Sequence, residues 1–372
     1  MDYSIKILTI NNNYKLLLIA LISRILIFIS AYFYMNGINF PYGLCQWDCG
    51  WYLSIINNGY DLYPHGYPHG NVANWSFFPL FPVLVSIIKL VIPLNSIIIA
   101  LLLNNIIFLI FIQLLYIYAK PMLGKLYAYK GATAFCFFPF TLYLSIPYSE
   151  SLYLVLLLSG LVLINKKKYW QAVIFGMLLA ITRNGGIFFI IIFIAHYITT
   201  IYIKKDSKIE TKQIIKLLLG VLCIPILFEI FTLYLYLKTG DALAFVHIQR
   251  GYGRLVGSNP LTTLDYIFRY PDPYSVYCLI ALFIGILSCI WLIKRKFISE
   301  AIFSLLPLCL TLYTGNISGM SRYSFLSLSF IIFFVYLYSK IKLTYYLIGI
   351  LFMASISMLF VYFWVFGYSY MI

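Results

Sequence analysis

Charged side chains are scarce in this chain, which has 372 residues and places a charge on only 10% of them. Soluble globular domains carry roughly 25% charged and about 45–50% apolar residues, whereas this chain is 63% apolar with a mean hydropathy of +0.94. Its apolar runs are long and continuous, unlike the weak alternation of barrel strands. The composition excludes a soluble domain and predicts an all-α, polytopic integral membrane protein.

Acidic side chains are scarcer than basic side chains. Asp and Glu together number 11 against 26 Lys and Arg, which gives a formal net charge of +15. The lysines form short runs between apolar segments, as in the cytoplasmic loops of polytopic proteins, so we do not predict a nucleic-acid partner. The sequence also lacks the HExxH, GxxxxGKS/T and GxSxG motifs, and ATP-driven transport therefore has no support within the chain.

The apolar runs predict a single domain, residues 1–372, with about eleven membrane-spanning helices. The predicted spans are residues 16–35, 97–118, 131–147, 149–164, 169–182, 186–203, 214–237, 274–293, 298–314, 323–339 and 343–366. Several are shorter than the roughly 20 residues that a bilayer requires, which suits a thinned bilayer or helices that end in a cavity. The first run is interpreted as a span, because no small-residue cleavage site follows it.

The segment 76–92 decides how the chain crosses the membrane. If it spans, every later lysine cluster lies outside; if it lies along the outer interface, each cluster lies in the cytoplasm together with Lys6 and Lys15. The second arrangement satisfies the charge rule at each loop, and two prolines and a short length also favour an interfacial helix. We therefore predict an external catalytic loop at 36–96, which carries juxtamembrane helices, and a second external loop at 238–273.

One carboxylate in the first external loop stands between two tryptophans, in the stretch QWDCGWYLSIINNGY at residues 46–60. Asp48 precedes a short amphipathic pattern, and Asp is a favoured residue at a helix start. A carboxylate at the membrane surface is also suited to act as a general base, which is the functional alternative. The neighbouring Cys45 and Cys49 are either small apolar side chains or, in an oxidising compartment, a disulfide.

Further polar side chains at the predicted external side have both a structural and a functional interpretation. Glu150 lies at a predicted helix start, where it caps the helix or contacts a substrate. Arg183 and Arg322 lie at helix edges, where an arginine snorkels to the interface or clamps a phosphate with its planar fork of donors. Arg250 and Arg254 lie among tyrosines in the second external loop, a pattern typical of a lipid-phosphate or sugar site or of a solvated loop surface.

Six motifs follow one another along the chain: WDCGWYLSIINNGY, NWSFFPLFP, PYSES, TRNGG, FVHIQRGYG and GNISGMSRY. Together they resemble the GPI mannosyltransferase II family of the PIG-V type, including its prokaryotic relatives, over residues 24–330. These are GT-C glycosyltransferases, so the resemblance implies a GT-C-type helix bundle. It also implies transfer of mannose or another hexose from a polyprenyl- or dolichyl-phosphate donor to a lipid-linked or surface glycan, on the extracytoplasmic or luminal face.

The resemblance further implies roles for individual residues. Asp48 matches the essential acidic residue of the family's first external loop, and we expect it to act as the general base of an inverting transfer. The arginines expected to bind the donor phosphate are Arg183, Arg322, Arg250 and Arg254. The residues expected to contact the substrates are Trp47, Trp51, Tyr52, Tyr60, Trp75, Glu150, Asn184, Gln249 and Tyr252.

This chemistry requires no metal and no cofactor besides the donor substrate. His65 and His69 lie in the segment YPHGYPHG, an insert relative to the family pattern, where proline and glycine exclude a helical metal pair. The richness in Ile, Asn, Lys and Tyr is typical of an AT-rich genome such as that of a bacterium. We therefore predict the plasma membrane of a prokaryote with an extracytoplasmic site, with the endoplasmic reticulum membrane as the alternative.

Two other functional classes stay open. A lipid or glycan transporter would move its substrate without forming a glycosidic bond, and a scaffold of a glycan assembly complex would tolerate loss of Asp48 and the arginines. No internal repeat is visible, which counts against a secondary transporter. The polar groups also gather at one predicted face of the membrane, which favours an enzyme.

Overall fold

The computed structural model of the protein describes residues 3–67, 70–198 and 211–371. Most of this part of the chain is helical. In chain order, the helices are α1 (Tyr3–Tyr34), α2 (Phe40–Gly43), α3 (Asp48–Asn58), α4 (Leu80–Val91), α5 (Ser96–Leu123), α6 (Lys125–Phe135), α7 (Glu150–Asn165), α8 (Tyr169–Ala180), α9 (Phe189–Ile198), α10 (Thr211–Thr239), α11 (Ala244–His247), α12 (Pro260–Arg269), α13 (Pro273–Lys294), α14 (Ile298–Tyr313), α15 (Met320–Phe325), α16 (Leu328–Lys340) and α17 (Leu343–Val365). Two short strands, β1 (His65–Tyr67) and β2 (Gly70–Val72), pair antiparallel.

Five of the described helices are long and apolar enough to cross a membrane: α1 from residue 13 onward, α5, α10 from residue 218 onward, α13 and α17. Helices α4, α7, α8, α14 and α16 and the segment Asn184–His196 are shorter and also apolar. Large apolar side chains on α17, such as Leu351 and Phe352, are more than half exposed. Lipid tolerates such a surface and water does not, so the prediction of an integral, all-α membrane protein is confirmed.

The described residues form two compact units. The first comprises the described residues of Met1–Gly50, Ile87–Val162 and Ile331–Met371, and the second comprises those of Trp51–Ser86 and Leu163–Phe330. In the first unit, α1 packs against α5, α6 and α17, and α5 packs against α6. In the second, α10 packs against α8 and α9, while α14 packs against α9 and α13.

The sequence predicts one helix over 131–147, and the structure shows that these boundaries are wrong. Helix α6 ends at Phe135, and a 3-10 helix follows at Pro139–Leu144. Phe138 has extended backbone angles, φ −66° and ψ 130°, because the ring of a following proline disfavours the helical region. Non-helical backbone inside a membrane protein needs hydrogen-bond partners from the protein itself, since lipid offers none.

Arg24 of α1 supplies those partners in the first unit and is only 2% exposed. Its Nη1 donates to the Thr141 carbonyl at 2.8 Å and to the Ser145 hydroxyl at 2.7 Å. Its Nη2 donates to the Cys136 carbonyl at 2.7 Å and to the Thr141 hydroxyl at 2.9 Å. The guanidinium carbon also lies 3.8 Å from the centroid of the Phe108 ring. Arg24 thus stabilises the break between α6 and α7.

The predicted helix 323–339 is also interrupted. Helix α15 ends at Phe325, and α16 begins at Leu328. Hydroxyl groups satisfy the backbone at this interruption: the Phe330 N–H donates to the Ser327 hydroxyl at 3.2 Å, and the Ser329 N–H donates to the Ser304 hydroxyl at 3.0 Å. Serine hydroxyls compete with helical hydrogen bonds in this way, which explains a break without proline.

Two further segments refine the predicted boundaries. Within the predicted span 186–203, α9 begins only after a 3-10 helix at Asn184–Phe188, and residues 199–210 lie outside the described residues. The segment 76–92 contains α4, which has 12 residues. A helix needs about 20 residues to cross a bilayer, so α4 is short for a span. The interfacial position of α4 and the side of the membrane on which each loop lies stay predictions.

Candidate active site

Asp48 is the first residue of α3 and lies in the first unit, half-buried. The residue before it, Trp47, has a φ of 45°, in the left-handed region that residues with side chains rarely adopt. Helix α3 starts directly after this turn, with the Cys49 N–H donating to the Gln46 carbonyl at 3.1 Å. A carboxylate in a first helical turn is also favoured by the helix dipole.

A disulfide joins Cys45 to Cys49, with their Cα atoms 5.2 Å apart. It closes a ring of consecutive residues that contains both Trp47 and Asp48. The pairing settles the alternative that the sequence left open for the two cysteines. Because disulfides persist in oxidising compartments, the bridge supports the predicted external position of this loop.

Tyr148 ties the same turn to the rest of the first unit. Its hydroxyl donates to the Gln46 carbonyl at 3.1 Å and accepts a hydrogen bond from the Asp48 N–H at 3.1 Å. The ring of Tyr148 is 1% exposed and lies edge-on to Trp364, with 5.5 Å between the ring centroids. Trp364 in turn contacts the Trp47 ring at 4.7 Å.

The segment that carries Tyr148 is itself fixed from α5. The side-chain amide of Asn104, which is fully buried, donates to the carbonyl oxygens of Ile146 and Tyr148. The neighbouring Asn105 donates to the Ser145 carbonyl at 3.1 Å. The two amide groups thus hold the backbone from Ser145 to Tyr148 in place, and through Tyr148 they position the backbone of Asp48.

Replacing Tyr148 by phenylalanine removes both hydrogen bonds to the Asp48 turn and keeps the ring. If the chain performs the sugar transfer that its motifs imply, we expect kcat to fall about 5- to 30-fold, the equivalent of about 1–2 kcal/mol. Tyr346→Phe is the matched control, since its hydroxyl bonds the Lys130 carbonyl at 2.9 Å, away from Asp48. Initial rates of both purified variants test this; equal rates for Tyr148→Phe and wild type would contradict it.

In the second unit, aromatic rings surround Trp51, the second tryptophan of the motif. Trp51 is half-buried, stacks on Phe77 with 6.1 Å between centroids and meets the Tyr252 ring edge-on at 5.6 Å. Tyr52 is buried and contacts Phe77 and Phe81, each at 5.2 Å. These rings form an aromatic frame, which we define as Trp51, Tyr52, Phe77, Phe81 and Tyr252.

Tyr60 and Trp75 are buried beside this frame, and their polar atoms form hydrogen bonds to backbone carbonyl groups. The Tyr60 hydroxyl donates to the Phe77 carbonyl at 2.6 Å, and burial raises the pKa of Tyr60 well above its usual value. The Trp75 indole N–H donates to the Asp61 carbonyl at 2.8 Å. Asp61 and Asn74 exchange hydrogen bonds between side chain and backbone in both directions, at 3.0 and 2.9 Å.

The motif around Gln249 and Tyr252 docks on the segment that follows β2. The Gln249 side chain donates to the Ser76 hydroxyl at 3.1 Å, and the Tyr252 hydroxyl donates to the Ala73 carbonyl at 2.7 Å. Between them, a Cβ on Gly251 would lie 2.2 Å from the Asn71 carbonyl oxygen. Only glycine permits this approach of two backbones, which explains the glycine of the FVHIQRGYG motif.

The arginines expected to bind phosphate all lie in the second unit. The guanidinium carbons of Arg183 and Arg322 lie 5.8 and 5.6 Å from the centroid of the same ring, Tyr323. Arg322 is 6% exposed and Arg183 is half-buried. Arg250 is exposed and Arg254 is half-buried, both near the start of the second predicted external loop.

The remaining predicted residues occupy helix starts. Glu150 is the first residue of α7, in the first unit, and is 6% exposed. Asn184 opens the 3-10 helix after Arg183, is exposed, and accepts the Gly185 N–H at 2.8 Å. Trp47, Asp48 and Glu150 belong to the first unit and the other predicted site residues to the second. Their joint action on one substrate stays a prediction.

Metal binding was not predicted for the two histidines of the external loop. His65 lies on β1 with its Nε2 3.3 Å from an Asp61 carboxylate oxygen, and His69 lies outside the described residues. No three His, Cys, Asp or Glu side chains of the described ranges are arranged to hold a metal ion.

Sequence reasoning missed the supports of Asp48. Tyr148 lies within the PYSES motif, so its position in the pattern was a usable signal. Trp364 is hundreds of residues away from Trp47 along the chain, and nothing in its local sequence distinguishes it from a lipid-facing tryptophan. Arg24 carried a clearer signal, a charge inside an apolar run, which marks a residue that needs a partner.

Comparison with known protein families gives a direct assignment. The family model described as "Mannosyltransferase (PIG-V)" matches residues 34–244, more than half of the chain. The chain belongs to the PIG-V mannosyltransferase family. The matched region of this PIG-V member contains the Asp48 turn, Arg183 and the aromatic frame except Tyr252, and it ends before Arg250 and Arg322.

A curated relative shows the same family relationship. The PIG-V chain is 25% identical over 242 residues to "GPI alpha-1,6-mannosyltransferase 2" of Cricetulus griseus. The match covers 58% of this chain and 47% of the relative. The chain thus spans about half the length of the curated relative that it matches.

Solved structures show the fold. The PIG-V chain resembles the oligosaccharyltransferase of Archaeoglobus fulgidus in its apo form, with a TM-score of 0.52 and 15% sequence identity. The match covers 96% of this chain and 55% of the archaeal enzyme. This likeness confirms the GT-C-type helix bundle that the motifs implied.

Proposed function

We propose that this PIG-V member is a membrane glycosyltransferase that transfers mannose, or another hexose, from a polyprenyl- or dolichyl-phosphate donor. The acceptor is a lipid-linked or surface glycan. One observation carries the proposal: the single carboxylate between the motif tryptophans, Asp48, sits on a backbone turn that is closed by a disulfide and tied to Tyr148. The start of a helix does not require so many restraints on its backbone. Such restraints are typical of a residue whose side chain must keep a fixed position during a reaction.

Asp48 is proposed to act as the general base. Its carboxylate accepts the proton of the acceptor hydroxyl while that oxygen attacks the anomeric carbon of the donor. The bond from the anomeric carbon to the phosphate oxygen breaks, and the electron pair leaves with the lipid phosphate. A single displacement of this kind inverts the anomeric centre. Asp48 then returns its proton to water, so the enzyme is unchanged after each transfer.

The leaving phosphate gains negative charge as the bond breaks, and positive side chains lower the energy of that step. Arg183 and Arg322 are the strongest candidates in the second unit, because both guanidinium groups lie close to the Tyr323 ring. The ring limits their freedom, and the planar fork of arginine matches phosphate oxygens. Arg250 and Arg254 extend the same positive character into the second predicted external loop.

The aromatic frame and its neighbours are proposed to border the sugar and the lipid chain. Trp51, half-buried among aromatic rings, combines an apolar face with an indole N–H, as suits a sugar at the membrane interface. Tyr60, Trp75 and Gln249 bond backbone or side-chain groups of the loop. We therefore expect them to shape the site through the loop, with Trp47, Asn184 and Glu150 as further contacts.

The predicted external position of the Asp48 loop also indicates the compartment in which the enzyme acts. We propose the plasma membrane of a prokaryote with the site on the extracytoplasmic face, where the Cys45–Cys49 bridge is stable. The luminal face of the endoplasmic reticulum is the alternative and would agree equally with an oxidised bridge.

Arg183→Gln tests the phosphate assignment. Glutamine keeps hydrogen-bonding capacity and loses the charge, so we expect kcat with a polyprenyl-phosphate mannose donor to fall about 10- to 100-fold. Arg269→Gln is the matched control, since Arg269 is exposed and already paired with Asp265 at 2.8 Å. Steady-state rates of both variants decide the matter: equal losses in the two variants would point to a general loss of positive charge and contradict a specific role for Arg183.

The activity itself is tested in cells. Deletion of the gene is expected to yield a glycolipid or surface glycan that lacks one hexose, detected by mass spectrometry of membrane extracts, and reintroduction of the wild-type gene restores it. Restoration by an Asp48→Asn gene would favour a scaffold. An unchanged set of glycans in the deletion strain would contradict the proposed transfer.

A further inference from the structure

The Cys45–Cys49 bridge has a specific relation to Asp48 that its small size does not explain. The two cysteines flank the turn on both sides: Cys45 precedes α3, and Cys49 is its second residue. A bridge over so few residues restrains the unfolded chain little, since the stabilisation from a disulfide grows with the length of the loop it closes. Its effect is therefore local to the ring that contains Trp47 and Asp48.

Trp47 shows why that ring needs a restraint. Its φ of 45° is unfavourable for a residue with a large side chain and persists only where the surroundings impose it. Three restraints are visible: the bridge, the Tyr148 hydroxyl at Gln46 and Asp48, and the Trp364 ring against Trp47. Of these, the bridge is covalent, and it fixes how the chain enters the first turn of α3.

We propose that the Cys45–Cys49 disulfide is a positioning element for Asp48, so that sugar transfer requires the oxidised bridge. The inference rests on the proposed function, in which Asp48 is the general base. When the bridge is open, Trp47 relaxes toward negative φ, and the direction in which the Asp48 side chain leaves the backbone changes. A general base that is displaced by about 1 Å loses up to about 100-fold in rate.

The step that opens the bridge is ordinary thiol–disulfide exchange. A thiolate of dithiothreitol attacks the sulfur of the half-buried Cys45 and forms a mixed disulfide with it. The Cys45–Cys49 bond breaks, and the fully buried Cys49 leaves as a thiolate that takes up a proton. The second thiol of the reagent then displaces Cys45. Two electrons and two protons pass to the protein, which gains two thiols, and the reagent becomes its cyclic disulfide.

The experiment uses the full-length protein in liposomes with polyprenyl-phosphate mannose as donor. Wild-type enzyme is assayed before reduction, after dithiothreitol, and after re-oxidation with oxidised glutathione, and maleimide labelling in denaturant follows the two additional thiols. We expect kcat to fall about 10- to 100-fold on reduction, with donor KM unchanged, and to recover on re-oxidation. Cys309→Ser, which removes an exposed free cysteine, serves as control and should respond as wild type does.

A bridge-free variant separates positioning from folding. Cys45→Ser/Cys49→Ser should have the low kcat of the reduced enzyme, and dithiothreitol should not change that kcat. The thermal midpoint of this variant should stay close to that of wild type. Full activity of reduced wild-type enzyme would overturn the proposal. So would a parallel loss of activity and of the thermal midpoint on reduction, because the bridge would then be only structural.

Failure of this inference is distinguishable from failure of the proposed function. If Asp48→Asn is inactive and reduced enzyme is fully active, the base assignment stands and the positioning role of the bridge fails. If Asp48→Asn keeps its rate, the base assignment fails regardless of the response to reduction.

Discussion

Asp48→Asn is expected to lower kcat about 10²- to 10⁴-fold, the usual contribution of a general base. Asparagine has the same shape and leaves the backbone N–H of residue 48 free to donate to Tyr148, so the turn and its disulfide should stay intact. It cannot take the proton of the acceptor hydroxyl. In the proposed mechanism, groups other than Asp48 bind the donor phosphate, and donor KM should therefore change little. Initial rates over a range of donor concentrations separate the two constants.

Asp265→Asn is the matched control for this substitution. It makes the same change in charge on an exposed residue whose carboxylate pairs with Arg269 at the surface, and its rate should equal that of wild type. The thermal midpoint of Asp48→Asn should also match wild type. A rate close to wild type for Asp48→Asn would contradict the general-base role and leave Asp48 with only a structural role at the start of α3.

Arg24→Met has the largest expected effect on stability. Methionine has a similar length and no donors, so the carbonyl groups of Cys136 and Thr141 lose partners that lipid cannot replace. Each buried acceptor left without a donor costs about 1–3 kcal/mol. Removal of a buried charge offsets part of this, and we expect a net loss of about 2–4 kcal/mol in the free energy of unfolding.

The measurement for Arg24→Met is the apparent thermal midpoint in detergent, followed by near-ultraviolet circular dichroism. Arg295→Met makes the same substitution at an exposed arginine just beyond the end of α13 and should leave the midpoint unchanged. If the two variants have the same midpoint, the break between α6 and α7 is held by other contacts and the role assigned to Arg24 is wrong.

Helix positions were largely predictable because membrane spans depend on local composition. The predicted spans 97–118 and 274–293 lie within described helices, and 343–366 extends one residue beyond the end of α17. The break at Ser327 was not predictable from composition, since apolar residues lie on both sides of it, whereas Pro139 was a local signal of a break inside the predicted span 131–147. The Pro139 break depends on a partner in α1, and the break at Ser327 depends on a hydroxyl of α14. Such long-range partners leave no local periodicity in the sequence.

In the candidate site, too, some residues were predictable from the sequence and others were not. The motifs located Asp48 and the arginines because those residue types are rare in an apolar chain, and their cost inside a membrane requires a reason. The contacts through which other residues support Asp48 were not visible in the sequence. Tyr148 and Trp364 are apolar enough to pass as core, and their role depends on contacts with residues far away in the chain. The left-handed φ of Trp47 likewise has no signature in its residue type.

The most direct test of the central claim is the donor preference of the purified wild-type protein. Liposomes that contain the protein and a lipid extract from the deletion strain, as source of acceptor, receive labelled mannose either on polyprenyl phosphate or on a nucleotide diphosphate. We predict transfer of label to a glycolipid or glycan from the polyprenyl-phosphate donor alone, without added metal. Transfer from the nucleotide donor, or no transfer from the lipid donor, would contradict the account.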